Sequence, residues 1–62
     1  MSDYRVRVVR KKGLKQKFHV RIEYRWNGDV LFTSENYVNA SYARKLGRSF
    51  ADLLDAVFED ET

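Results

Sequence analysis

The chain has no cysteine and no proline, and only one histidine and three glycines among its 62 residues. Without cysteine there is no disulfide, thiolate zinc site, iron–sulfur cluster or cysteine nucleophile. One imidazole cannot form a His-x-x-x-His metal pair, and no phosphate loop, dinucleotide fingerprint or Gly-x-Ser-x-Gly elbow is present. No run is long and apolar enough to span a bilayer, and the N-terminus lacks the apolar stretch of a secretory signal. The chain is therefore expected to be soluble and cytoplasmic, with no membrane contact. In that setting Asn39-Ala40-Ser41 matches the glycosylation pattern only by accident.

What is present argues for a folded unit. Hydrophobic residues make up 44% and aromatics 15% of the chain, too much for a disordered polymer of this length. The net charge of +3 is unevenly spread. Residues 1–31 carry nine basic and three acidic residues; residues 32–62 carry three basic and six acidic. Such an asymmetry steers an anionic partner or a second copy, or is simply a solvated surface.

Residues 4–9 alternate with the period of a half-buried strand, Tyr4, Val6 and Val8 on one side and Arg5, Arg7 and Val9 on the other. Residues 17–25 do the same, with Phe18, Val20, Ile22 and Tyr24 facing inward. Asn27-Gly28 signals a hairpin. A three-residue Trp26-Asn27-Gly28 turn with a bulge keeps apolar opposite apolar by pairing Tyr24 with Val30 and Ile22 with Phe32. The third strand then covers residues 29–34. Asn39 is a good N-cap for a helix from Ala40 to about Phe58, whose apolar positions, including Tyr42, Leu53, Val57 and Phe58, fall in one arc. These elements predict an α+β domain over residues 1–58: a β-β-β-α antiparallel meander with a C-terminal helix on one face. Residues 59–62 read as a frayed acidic tail.

A core of this size supports only about 3–5 kcal/mol, and no cysteine or metal set is available to staple it. Homodimerisation is the remaining route to stability. Trp26 at the hairpin tip, and the flat strip of Ala43 and Gly47 on the helix, are the candidate interface residues. Close helix-to-sheet packing within one chain is the favoured explanation of Ala43 and Gly47. The basic first half and acidic last turns of the helix oppose its macrodipole, with Arg48 and Asp52 spaced to pair.

His19, the one imidazole, shares a strand face with Arg21 and has only Glu23 as a nearby carboxylate; it reads as a strand residue rather than a catalyst. No catalytic, cofactor-binding or metal-ligating residue is assigned. The outer sheet face is the best working surface. Arg5, Arg7, Arg21 and Arg25, joined by Lys11 from the first loop, could meet the phosphates of a nucleic acid or an acidic partner; a polar outer face is also the ordinary state of any half-buried sheet.

The segment Asn27-Gly28-Asp29-Val30-Leu31-Phe32-Thr33-Ser34-Glu35-Asn36-Tyr37 resembles the signature of the YegP-like family of small bacterial domains of unknown function. The likeness covers roughly residues 17–48. It implies a β-β-β-α unit, often present as two tandem copies about a pseudo-twofold, which a single copy would reproduce by homodimerising. It implies no reaction, cofactor or ligand. Where family members have a short helix with an Asn-Gly-Ile-like stretch, this chain reads Lys45-Leu46-Gly47-Arg48. A looser, fold-level likeness links three strands plus a helix to the arm-binding domains of tyrosine recombinases and to plant AP2-type domains, which read DNA with the basic sheet face. Ser34, Glu35 and Tyr37 are expected to bond the strand-to-helix link and close the end of the core. The expected function is a non-enzymatic binding or adaptor domain that acts as a homodimer toward an unidentified protein partner. The alternative is a DNA-binding module using the basic sheet face.

Overall fold

The computed structural model describes residues 3–13 and 15–62. Its elements are β1 (Tyr4–Arg10), β2 (Phe18–Tyr24), β3 (Val30–Thr33), α1 (Ala40–Leu54) and β4 (Val57–Asp60). The fold is α+β: one helix on a four-stranded mixed sheet ordered β3-β2-β1-β4. β1, β2 and β3 form the expected antiparallel meander. β4 then joins parallel to β1, with Val6 beside Phe58 and Val8 beside Asp60. The expectation of a three-stranded sheet ending in a helix to about Phe58 is corrected accordingly. So is the frayed tail, because Glu59 and Asp60 lie in β4 and the Glu61 N–H donates to the Val8 carbonyl at 2.9 Å.

The helix stops early because Asp55 turns into the left-handed region at φ 51°. Its N–H donates to the Asp52 carbonyl, and the Ala56 N–H reaches back to Ala51 at 2.9 Å, the bond pattern of a Schellman cap. Glycine usually occupies that position, but Asp is among the few other residues that tolerate it. At the other end the Asn39 side chain accepts from the Ser41 N–H at 2.8 Å, as its N-cap role requires.

The core is thin. Val6, Val8 and Val20 from the sheet and Ala43 and Ala51 from α1 are buried, with Phe18, Ile22, Leu46, Phe50, Leu54 and Phe58 packed around them. Ala43, Gly47 and Ala51 recur every four residues, so the face of α1 that meets the sheet is made of its smallest side chains. Ala43 and Gly47 therefore serve packing within the chain rather than an intermolecular strip. Tyr42 and Leu53, expected to face inward, are exposed. Arg48 lies over the Phe58 ring, 5.5 Å from its centroid, and among the described residues forms no ion pair with Asp52.

α1 packs over β1, β2 and β4 and reaches β3 only through its Phe50 ring, edge-on to Phe32. The hairpin before β3 also differs from expectation. Ile22 pairs with Phe32 as predicted, but Tyr24 faces Asp29, whose carbonyl accepts its N–H at 2.9 Å. The loop is Arg25–Gly28, closed by a Gly28 N–H to Tyr24 carbonyl bond at 3.0 Å with Gly28 at φ 76°. The irregularity falls between Ile22 and Glu23, so Val30 stands opposite Glu23 rather than in the core.

Candidate functional site

Two surfaces decide what this domain can do. The first is the outer face of the sheet. The β1–β2 register sets Arg5 opposite Glu23 and Arg7 opposite Arg21. Two guanidiniums directly across a ladder repel unless an anion lies between them. Glu23 supplies it. Its Oε1 accepts from Arg5 Nη2 at 2.7 Å, and its Oε2 lies 3.1 Å from Arg7 Nη1 and 3.6 Å from Arg21 Nε. The cover is so complete that Glu23 is only 2% exposed, although it sits on the solvent face. β4 and the residue that follows it add two further carboxylates. Glu59 lies 3.2 Å from Arg5 Nε, and Glu61 accepts from Arg7.

Arg5, Arg7 and Arg21 are thus brought together as expected, but three carboxylates meet their three charges. Lys11 lies in the β1–β2 loop and Arg25 in the β2–β3 loop, where its N–H donates to Asp3. Neither is on the sheet face. Reading β2 as reaching residue 25 put Arg25 there; the strand ends at Tyr24.

Burial pushes the Glu23 carboxyl up, but the Arg5 hydrogen bond together with the charge and hydrogen bond of Arg7 outweighs it, and the group is held below the usual carboxylate range. Asp60 is also lowered, chiefly by hydrogen bonds from the Thr62 hydroxyl and N–H. A carboxyl lowered by folding contributes stability above its unfolded value, near 4, and loses it as pH falls through the folded value. His19 is lowered by burial first, then by Arg21 and Lys11. The unfolded chain therefore takes up that proton first, and stability declines below about pH 6.5. Urea melts are expected to show two declines on acidification, a shallow one near the imidazole range and a steeper one below about pH 4. His19→Gln should remove the first and leave the second.

The second surface is the β3 edge. All four of its residues are exposed, and Val30, Leu31 and Phe32 show 44%, 47% and 44% of their surface to solvent. Phe32 touches the helix through an edge-to-face contact with Phe50 at 5.7 Å between centroids. Trp26, at the adjoining hairpin, is 72% exposed with its ring tilted against Tyr24 at 5.4 Å. Of the interface residues expected from sequence, it alone remains at the surface.

In the strand-to-helix link Ser34 and Tyr37 behave as expected, whereas Glu35 takes part through its main-chain carbonyl rather than its carboxylate. The Ser34 hydroxyl accepts from the Val20 N–H at 2.8 Å and donates to the Glu35 carbonyl at 2.9 Å. Tyr37 exchanges two backbone hydrogen bonds with Phe18 and closes that end of the core. Among the described residues no cluster of three or more His, Asp or Glu side chains is placed to hold a metal ion, and no helix is long and apolar enough to cross a membrane.

Sequence reasoning missed the part played by Glu23. The signal was there: one carboxylate in a row of arginines, on a strand whose partner carries arginines at the facing positions. Glu59 and Glu61 could not be found without β4. Comparison of the chain with protein-family models, with curated proteins and with solved structures returns no match.

Proposed function

We infer that this chain is a non-enzymatic interaction domain that works as a homodimer, two copies joining along β3. The observation that carries this reading is the contrast between the two sheet edges. β4 bears Glu59 and Asp60, and Arg44 closes over it through an ion pair to Asp60 at 2.7 Å. Charges on an edge are how sheets resist unwanted pairing. β3 reads Val-Leu-Phe-Thr, without a charge or a proline, and α1 meets it only through the Phe50 ring against Phe32. An antiparallel pairing of β3 with itself about a twofold sets uncharged residues against uncharged ones and satisfies the backbone groups of both edges. It also enlarges a core too thin to give much stability alone. The likeness of residues 27–37 to the YegP-like signature belongs to the same reading. The dimer would then present its outer surfaces, Trp26 among them, to a further protein partner.

The DNA alternative has less support, since Arg5, Arg7 and Arg21 spend their charge on Glu23, Glu59 and Glu61. The test of the dimer is sedimentation velocity over a micromolar concentration series. The parent chain is expected to shift from one to two copies, and Leu31→Lys, at an exposed position, to stay monomeric, with a melting temperature that matches the parent's at low concentration and does not rise with concentration as the parent's does. A parent that is monomeric throughout, or a Leu31→Lys variant that still dimerises, contradicts the reading.

A further inference from the structure

Among the described residues the densest group of cations outside any ion pair lies at one end of the sheet. Arg10, Lys11, Lys12, Lys15 and Lys17 occur within eight consecutive positions with no carboxylate among them. Among the described residues none of the five enters an ion pair, whereas Arg5, Arg7, Arg21 and Arg44 all do. The Lys11 N–H donates to the Lys17 carbonyl at 2.7 Å and holds the two limbs of the loop together. The Phe18–Tyr37 backbone bridge ties the segment leading into α1 to the same end.

Two open clefts meet there at Val38. One, of about 410 Å³, is lined by Lys15, Gln16, Asn36 and Val38. The other, also of about 410 Å³, is lined by Tyr37, Val38, Asn39 and Tyr42. Tyr42 is 54% exposed and braced edge-on by Tyr37 at 4.8 Å between ring centroids. The first turn of α1 carries no acidic residue, and Glu35 is the one carboxylate on the 34–39 segment.

We propose that this end of the domain binds a single strand of nucleic acid, its phosphates on the loop lysines and an unstacked base on the Tyr42 ring. A cationic track beside an exposed aromatic platform is the combination that holds single strands. The Gln16 and Asn36 amides, which both donate and accept, suit the edges of a splayed base. A duplex keeps its bases stacked and cannot use the ring. An acidic peptide or an anionic membrane would use the lysines but neither the ring nor the amides. The site shares no residue with the β3 edge and does not depend on dimerisation.

The test is fluorescence anisotropy with a labelled oligo-dU strand of about twelve nucleotides, against a duplex of equal length, polyglutamate and anionic phosphatidylserine vesicles. The single strand is expected to bind best, with a log–log salt slope of about −3 if four phosphates are neutralised. Lys11→Gln/Lys12→Gln/Lys15→Gln/Lys17→Gln should flatten that slope and weaken binding by about a hundredfold at low salt. Tyr42→Ala should weaken it about tenfold with the slope unchanged. Both variants alter exposed or half-exposed positions, and their melting curves check that they fold. Equal binding of duplex, polyglutamate or vesicles, no binding at low salt, or a Tyr42→Ala variant indistinguishable from the parent overturns the proposal.

Discussion

Glu23→Gln is expected to destabilise the domain by about 2–3 kcal/mol, a large share of what so small a core supplies. The substitution keeps the shape of the side chain and removes its charge. Arg5, Arg7 and Arg21 are then left side by side without the anion between them. Breaking a fully buried ion pair costs about 3–5 kcal/mol. The cost here is smaller because the three guanidiniums are 25–32% exposed and can turn toward water, whereas Glu23 is 2% exposed. The melting temperature should fall by about 10–20 °C. Arg21→Gln, which removes the longest contact at 3.6 Å, should cost less than about 1 kcal/mol. A Glu23→Gln variant melting within about 3 °C of the parent would show that the network contributes little.

Gly47→Ala is expected to destabilise by about 1–2 kcal/mol, against the gain of about 1 kcal/mol that the same change brings in an exposed helix. A Cβ built at Gly47 would lie 2.9 Å from Val8 Cγ2 and 3.0 Å from Phe58 Cε1. Neither atom gives way easily. Val8 is fully buried and stiff about χ1, and the Phe58 ring is held in β4 under Arg48. Relief requires α1 to lift from the sheet, which loosens Ala43 and Ala51 as well. Gly47→Leu should not fold. Urea denaturation measures the first effect, and a stabilised Gly47→Ala would mean that α1 rides higher on the sheet than described. The result also separates packing from self-association, since a residue serving only an interface would alter the dimer and leave monomer stability unchanged.

The parts of the fold that depend on local pattern were readable in the sequence. Alternation located β1 and β2, and Asn39 marked the start of α1. The Ile22–Phe32 pairing followed from matching apolar faces. What depended on distant partners was not readable. Val57 and Phe58 continue the apolar arc of the helix, so periodicity alone extends α1 through them. Only the left-handed turn at Asp55 and the β1 edge some fifty residues earlier make them a strand. The same blindness hid the site. Alternation put Arg5, Arg7 and Arg21 on one face correctly, but their charge could be assessed only once β4 and the residue after it had delivered Glu59 and Glu61. Val30 was misplaced because the irregularity sits between Ile22 and Glu23 rather than in the turn, and hairpin signals report the turn more directly than the strand behind it.

In the proposed dimer β3 is the edge at which two copies meet while the arginine face stays closed. Amide chemical shifts followed by NMR from dilute to concentrated protein test it most directly. The amides of Val30 to Thr33 are expected to move together with concentration, with those of Val57 to Asp60 and the side-chain Nε–H signals of Arg5 and Arg7 unmoved. A spectrum that does not change with concentration, or changes confined to β4 or to the arginines, would contradict it.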